Sequence, residues 1–356
     1  MNIESIKTLQ EKLSELIGIS GYEDDVSKFI LNLIKEEQLA DKAWIDQLGN
    51  VLAVVNGKQN EDRILLDAHI DEIGFLISHV DKEGFLRFAP IGGWDVRILL
   101  GQPVVIRSET GKLYNGIIGS KPPHLTTVAE RKKLVAIKDM YIDIGMFSKE
   151  EVERQGIKMG TTGTLSCPFL DFPNDMVRGK AFDDRTGCNV LIQIMRILKE
   201  KPVNDTILFN FAVQEEIGCR GAITGAFTLK PTIAIAIENT TAADVPGIKD
   251  HEIPAYIGKG PAITIADNSI ICSSKVNERL IKNAELAKVP YQMKRPLYGG
   301  TDAGKIHISR DGVPSSVVSV PCRYIHSPTS LLKLDDILHT VELIDAFIRN
   351  SANIKI

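Results

Sequence analysis

The sequence predicts an α/β protein with a mostly parallel sheet sandwiched by helices. Three hydrophobic runs, at residues 64–66, 207–213 and 233–237, have the length and texture of strands. Apolar runs of this kind are typical of strands that are buried on both faces. Segments with apolar residues at helical spacing separate the later runs, and strands that alternate with helices favour a parallel sheet covered on both sides.

The beginning of the chain predicts two helices followed by two strands. Apolar residues recur at helical spacing across residues 6–17 and again across 26–34. Strands are expected at 51–55 and 64–66, with a turn at Asn56-Gly57 between them. The α/β pattern returns after Phe169. There we expect a helix after Asp184, helices at 221–227, 275–288, 303–309 and 335–349, and a strand at 315–320.

From about Gly74 the pattern changes to short strands joined by turns. These strands are expected at 75–80, 85–88, 104–107, 113–118, 141–145 and 163–166. The only helix expected here is a short one that Ser148 and Glu151 open as a capping box. We therefore predict a small β-barrel, residues 74–166, inserted into a discontinuous catalytic domain of residues 1–73 and 167–356.

The composition argues against several classes of function. The net charge is -4 and the longest basic cluster is Arg131-Lys132-Lys133. This charge distribution argues against binding to nucleic acid or to an anionic membrane. No stretch approaches the roughly 20 apolar residues of a membrane span, and the acid-containing start does not resemble a signal peptide. The five cysteines are odd in number and lack CxxC spacing. They argue against a disulfide framework and a thiolate zinc site, and favour a cytoplasmic protein.

Seven acids and histidines are candidate site residues, and nearly all of them follow a predicted strand. They are His69, Asp71, Asp183, Glu215, Glu216, Glu238 and His326. In open α/β sheets, ligands bind beyond the carboxyl ends of the strands. Acids gathered there would repel one another and lose hydration unless cations held them together. The sequence therefore predicts a site for metal ions.

Two of these motifs allow a division of labour between neighbouring residues. His69 and Asp71 point the same way along a strand, so Asp71 is placed to orient the His69 ring. Asp183 and Asp184 precede a helix whose N-cap needs only one acid, which leaves Asp183 free to bridge two cations. The alternative is that all four are solvated or capping residues.

The pair Glu215 and Glu216 follows a long apolar run, where hydration is poor. If Glu216 binds a cation, Glu215 can act as a general base, because a crowded apolar site raises the pKa of a carboxyl group toward neutrality. The alternative is an exposed pair favoured by the dipole of a following helix. His326 lies in a segment that Pro314, Pro321 and Pro328 stiffen, which suits a fixed imidazole.

The motifs taken together in chain order resemble a known family. They are His-x-Asp-Glu at 69–72, Asp-Asp-Arg at 183–185, Gln-Glu-Glu-Ile-Gly at 214–218, an acid at 238, Tyr-Gly-Gly-Thr-Asp-Ala-Gly at 298–304 and Arg-Tyr-Ile-His-Ser-Pro at 323–328. This order resembles the tetrahedral (TET-type) dinuclear metallo-aminopeptidases over essentially the whole chain. That family includes glutamyl and deblocking aminopeptidases and some proteins labelled cellulases. The resemblance implies a zinc-aminopeptidase-like fold with an inserted, PDZ-like barrel that serves in dimerisation.

The resemblance also implies a role for each residue. His69 and Glu238 would bind one metal, Glu216 and His326 the other, and Asp183 would bridge them. Glu215 would be the general base and Asp71 would support His69. Family members commonly have Asp where this chain has Glu238, and Asp244 is the alternative ligand. The expected cofactors are two divalent ions per subunit, and the ligand types fit Zn²⁺, Co²⁺ or Mn²⁺.

These roles imply hydrolysis of N-terminal residues from short peptides by a metal-bridged water. The resemblance further implies a homo-oligomer in which dimers assemble into a tetrahedral dodecamer. One alternative is a related amidohydrolase or deacetylase that acts on N-acylated substrates. A second is a glycosidase, although two histidines have no role there and an aromatic content of 6% offers few platforms for sugars. A third is a non-catalytic peptide-binding or scaffold protein. The preferred N-terminal residue is left open.

Overall fold

The computed structural model describes residues 2–59, 62–295 and 298–350. Residue 1 and residues 351–356, which the predicted catalytic domain includes, lie outside this range. The described chain begins with two helices and three strands, which are α1 (Ile3–Glu15), α2 (Asp24–Glu36), β1 (Lys42–Ile45), β2 (Val51–Val55) and β3 (Arg63–His69). Asn2 caps α1, since its side chain accepts a hydrogen bond from the Ser5 amide at 2.8 Å.

A closed antiparallel barrel follows β3. Its strands are β4 (Gly74–Val80), β5 (Leu86–Ile91), β6 (Pro103–Arg107), β7 (Leu113–Gly119), β8 (Tyr141–Asp143) and β9 (Thr162–Leu165), closed in the order β4-β5-β8-β7-β6-β9. The short helices α3 (Val128–Arg131) and α4 (Lys149–Arg154) lie in the same stretch. Phe75, Ile106 and Ile142 belong to a hydrophobic cluster of the barrel's own. The expected inserted barrel is confirmed, whereas its limits as a domain stay a prediction.

The chain then returns to the α/β pattern. In order, the elements are β10 (Leu170–Phe172), β11 (Met176–Gly179), α5 (Phe182–Glu200), β12 (Thr206–Ala212), α6 (Arg220–Leu229), β13 (Ile233–Thr241), β14 (Ala262–Thr264), α7 (Ser274–Ala287), β15 (Gln292–Lys294), α8 (Ala303–Ile306), β16 (Ser315–Cys322), β17 (Ser330–Lys333) and α9 (Leu334–Arg349). Strands β10, β11 and β17 form a small sheet of their own.

The main sheet has eight strands in the order β1-β2-β12-β3-β13-β16-β14-β15. Its four central strands, β12, β3, β13 and β16, are parallel to one another. The pairings of β2 with β12 and of β14 with β16 are antiparallel, so the predicted parallel character holds for the centre of the sheet. Strand β12 lies between β2 and β3, so these two strands do not pair, and neither Asn56 nor Gly57 lies in the expected turn.

Helices cover both faces of this sheet. Leu66 of β3 and Phe209 of β12 belong to the larger core, which they share with α1, α5 and α9. The adjacent residues Leu65 and Leu208 belong to a smaller core with α6. Burying a side chain of this size contributes about 2 kcal/mol. Within the described ranges, no helix combines the length and the apolar content needed to cross a bilayer.

Candidate metal centre

The carboxyl ends of the central strands bring the predicted residues to one edge of the sheet. His69 is the last residue of β3, Glu215 and Glu216 follow β12, and His326 follows β16. Glu238 was expected beyond a strand but lies within β13, which continues to Thr241. Because β13 is longer than its apolar run, its polar end forms a wall of the site.

Asp183 lies between the two histidines. Its Oδ1 atom is 3.3 Å from Nε2 of His69, and its Oδ2 atom is 3.2 Å from Nε2 of His326. The neighbouring Asp184, joined to it by a cis peptide, accepts a hydrogen bond from the Gly187 amide at 3.0 Å. Both acids have non-helical dihedral angles near the start of α5; Asp184 accepts a hydrogen bond from an amide of the following turn, while Asp183 faces both imidazoles.

Two groups of three residues share Asp183. In each of the groups His69–Asp183–Glu238 and Asp183–Glu216–His326, the ligand atoms all lie within 4.8 Å of one another. Nε2 of His69 is 3.9 Å from Glu238 Oε2, and Nε2 of His326 is 3.5 Å from Glu216 Oε1. Two ligands of a tetrahedral zinc ion, each bonded at about 2.1 Å, are about 3.4 Å apart. The donor types and their spacing thus fit a pair of cations.

The electrostatics of the cluster fit the same pair. Burial raises the pKa of Glu216 to about 8 and raises that of Glu238 well above its usual value. Burial lowers the pKa of His326, but Asp183 and Glu216 more than offset this and bring it to about 9. Burial therefore disfavours the ionised acids unless positive charge balances them, and divalent cations would supply that charge.

Asp71 connects the ends of two strands. It is fully buried, and its Oδ1 atom lies 3.4 Å from Nδ1 of His69. The same carboxylate accepts hydrogen bonds from the amides of Glu215 at 2.9 Å and Glu216 at 3.1 Å, and from the Ser20 hydroxyl at 2.6 Å. The sequence predicted the contact with His69. It gave no signal for the contacts with the Glu215 and Glu216 amides, because every residue type carries the same backbone donor.

The remaining predicted residues occupy distinct places. The Oε2 atom of Glu215 lies 3.8 Å from Nε2 of His69, and its Oε1 accepts a hydrogen bond from the Cys219 thiol at 3.2 Å. Burial raises the pKa of Glu215. Asp244, the alternative ligand, is instead paired with Arg323 through two contacts of 2.8 Å. It belongs to neither group of three, so Glu238 occupies the place for which Asp244 was the alternative.

The barrel also reaches the site, which sequence reasoning missed. A Cβ atom on Gly93 would stand 3.2 Å from Nδ1 of His326, and one on Gly92 would stand 3.4 Å from Glu216 Oε2. Gly92 also has a φ of +78°, which favours glycine. The two consecutive glycines were the available signal for a close approach.

The sequence pattern of the family described as M42 glutamyl aminopeptidase matches residues 49–343, a span that contains all seven predicted residues. The chain belongs to the M42 family of aminopeptidases. The expected resemblance to TET-type aminopeptidases is thereby confirmed.

Relatives of this M42 chain match it over nearly its whole length. A putative aminopeptidase of Acetivibrio thermocellus is 37% identical, covering 97% of this chain and 98% of its own. The lysyl aminopeptidase of Pyrococcus furiosus is 33% identical, covering 96% of each chain. Both alignments therefore span the sheet and the barrel.

Solved structures of similar proteins superpose on this M42 chain over nearly its whole length. The TET aminopeptidase from Thaumarchaeota archaeon SCGC AB-539-E09 superposes with a TM-score of 0.94 at 40% identity, covering 98% of this chain and 97% of its own. The TET1 peptidase of Pyrococcus horikoshii is described as assembling into a tetrahedron or a large octahedral shell. It superposes with a TM-score of 0.86 at 34% identity, covering 97% of this chain and 99% of its own. A Thermotoga maritima structure named endoglucanase superposes with a TM-score of 0.78 at 33% identity, covering 96% of this chain and 97% of its own.

A cavity of about 830 Å³ opens beside the acids of the M42 chain. Its lining includes His69, Asp183, Glu215 and Glu216 as well as Lys294. A separate cleft of about 520 Å³ lies between α2 and the barrel and contains none of the seven residues. The larger cavity is the one that a substrate of the acidic cluster would enter.

Proposed function

We propose that this chain is a metal-dependent aminopeptidase that uses two divalent cations per subunit to hydrolyse N-terminal residues from short peptides. The observation that carries the proposal is the position of Asp183, which turns one carboxylate oxygen toward each of two histidines. Each histidine has a further acid within reach, so two ligand sets share one bridging residue.

His69, Asp183 and Glu238 would hold one cation, and Asp183, Glu216 and His326 the other. When bound, the ions lower the pKa of a coordinated water and polarise the scissile carbonyl. Imidazole and carboxylate donors fit Zn²⁺, Co²⁺ or Mn²⁺.

Glu215 is the residue we assign as general base. Its carboxylate faces the cluster, and burial raises its pKa toward the range in which it can accept a proton from water and donate it to the leaving amine. Asp71 holds the His69 ring and the amides of Glu215 and Glu216 in place. The adjacent cavity of about 830 Å³ is lined by Glu215 and Glu216, so a peptide end that enters it would reach them.

We further propose a homo-oligomer in which the barrel, residues 74–166, acts as the dimerisation domain. Similarity to a peptidase that assembles into a tetrahedron supports this proposal, and we extend it to a tetrahedral dodecamer built from dimers. Between β7 and β8, Leu125, Val128 and Leu134 are 70%, 65% and 67% exposed, and clustered apolar exposure of this kind marks contact surfaces. The five free cysteines support a cytoplasmic location.

The test is metal analysis of the purified protein combined with a panel of 20 aminoacyl anilides, before and after chelation. We expect two ions per subunit, loss of activity on chelation and recovery with Zn²⁺, Co²⁺ or Mn²⁺. N-acetylated anilides and cello-oligosaccharides serve as controls for the amidohydrolase and glycosidase alternatives. Fewer than two ions in the fully loaded protein, or activity that survives chelation, would contradict the proposal.

A further inference from the structure

Lys294 is a buried cation that lines the cavity beside the candidate metal centre. It is the last residue of β15, and the residue is only 7% exposed. Among the described lining residues it is the only lysine or arginine. No acceptor in residues 2–59, 62–295 or 298–350 lies within hydrogen-bond or ion-pair distance of its ammonium group.

The acids around Lys294 do not neutralise it by contact. Asp267 has the largest electrostatic effect on it, but this carboxylate accepts hydrogen bonds from the Ser269 amide and hydroxyl, the Ile270 amide and the Thr301 hydroxyl. Burial lowers the pKa of Lys294. An anionic group that enters the cavity would therefore meet a cation that burial has already stripped of part of its water.

Strand pairing fixes where Lys294 lies relative to the acids. Glu238 pairs with Ser319, Ser319 with Ala262, and Ala262 with Gln292, so these four residues form one row across the sheet. Lys294 is two residues beyond Gln292 and therefore lies on the same face as Glu238. Three strand spacings of about 4.8 Å and a step of about 6.7 Å along β15 place the two backbones roughly 16 Å apart. Both side chains line the same cavity, and Glu238 and Asp183 are among the acids that act electrostatically on Lys294.

We propose that Lys294 binds the carboxylate side chain of the substrate's N-terminal residue, so that the enzyme prefers peptides that begin with glutamate or aspartate. The inference rests on the proposed function and adds the substrate class and the residue that selects it. The names of related proteins include both glutamyl and lysyl aminopeptidases, so membership of the family does not choose between acidic and basic residues.

Glu252 is the lining residue that would favour a positively charged side chain on the substrate. It is exposed at the rim of the cavity, and its Oε2 atom accepts a hydrogen bond from the Lys249 amide at 3.1 Å. Solvent screens an exposed carboxylate far more than a buried ammonium. The buried charge of Lys294 therefore dominates the selection.

The test compares kcat/KM of the metal-loaded enzyme for glutamyl, aspartyl, leucyl and lysyl anilides. We expect the wild type to prefer the glutamyl substrate over the leucyl and lysyl ones. Lys294→Met should lower the glutamyl-to-leucyl ratio about 10- to 100-fold, the size of one lost hydrogen bond to a charged group, mainly through KM. Lys294→Arg should keep the acidic preference. Lys282→Met, on the exposed face of α7, is the matched control.

Binding gives a second readout that does not depend on turnover. Calorimetry should show tighter binding of L-glutamate than of L-leucine to the loaded wild type, and this difference should shrink in Lys294→Met. A wild type that prefers leucyl or lysyl anilide, or a glutamyl-to-leucyl ratio unchanged in a folded Lys294→Met, overturns the inference and leaves the proposed function intact. If Lys294→Met does not fold, the wild-type preference and Lys294→Arg decide. Absence of cleavage of any aminoacyl anilide overturns both.

Discussion

The ammonium group of Lys180 lies 2.8 and 2.9 Å from the two carboxylate oxygens of Glu72, and both residues are buried. Glu72 also accepts hydrogen bonds from the Thr164 hydroxyl in β9 at 2.9 Å and from the Gly18 amide at 3.1 Å. One carboxylate therefore joins the end of β3, the last strand of the barrel, the N-terminal segment and the residues that lead into Asp183.

Replacing Lys180 with methionine should destabilise the protein, because the buried carboxyl group of Glu72 would lose its main partner. We expect the free energy of unfolding to fall by about 3 kcal/mol, the lower end of the usual range, since Nη2 of Arg185 lies 3.9 Å from Glu72. Denaturant unfolding measures this loss. The double variant Lys180→Met/Glu72→Gln should recover much of it. A single variant as stable as the wild type would show that the pair is dispensable.

Asp71→Asn should impair catalysis more than folding. An asparagine offers one acceptor oxygen, so it cannot accept from both the Glu215 and Glu216 amides while it orients His69. We expect turnover and metal affinity to fall about 10- to 100-fold, as is typical when a residue that orients a metal ligand is lost. Ser20→Ala removes one hydrogen bond to the same carboxylate and should have a smaller effect. Equal effects from the two variants would contradict this role.

Glu215→Gln should separate chemistry from metal binding. The variant should keep two ions per subunit and lose turnover by about 10²- to 10⁴-fold, because glutamine cannot accept the proton from water. Glu216→Gln is the matched variant, and it should lose metal as well as activity. Metal analysis and anilide cleavage measure both quantities. If Glu215→Gln stays active with its normal metal content, another residue is the base.

Glu23 should make stability depend on pH. Burial and the nearby Asp71 raise the pKa of Glu23 from 4.5 to about 7, despite hydrogen bonds from the Gly21 and Gln214 amides. Between these two values the folded protein holds a proton that the unfolded chain has lost. The free energy of unfolding should therefore fall as the pH rises through this window, by at most about 1.4 kcal/mol per pH unit.

The difference between wild type and Glu23→Gln isolates this effect from other titrating groups. Denaturant unfolding of the metal-loaded proteins at pH 5, 6, 7 and 8 should show a shallower pH dependence in the variant. Parallel curves for the two proteins would mean that Glu23 titrates alike in the folded and unfolded states.

The sequence predicted the gathering of the seven site residues because their positions follow from simple rules. A long apolar run marks a buried strand, and the carboxyl ends of parallel strands meet at one edge of the sheet. His69, Glu215 and His326 each follow such a run. The adjacent acids at 183 and 184 likewise indicated that a helix start needs only one of them, which leaves the other available to bind cations.

Other parts of the site could not be predicted from local patterns. The contact between Glu72 and Lys180 joins residues that are 108 positions apart. Neither residue lies in a segment whose apolar periodicity would predict the contact. Strand β15 has three residues, too few for alternation to show that Lys294 faces the cavity. Strand β12 inserts between β2 and β3 through long-range pairing, which a turn signal at Asn56-Gly57 does not reveal.

The close approach of Gly93 to His326 links the barrel to the candidate metal centre. Trp94, the next residue, donates a hydrogen bond from its indole to the Gly74 carbonyl at 2.9 Å, which holds this loop against the first barrel strand. A molecule that binds this part of the barrel would therefore also restrain one wall around the His326 imidazole. A shortened chain that lacks the barrel would expose more of that imidazole, which is 41% exposed in the intact chain, however well its sheet still folded.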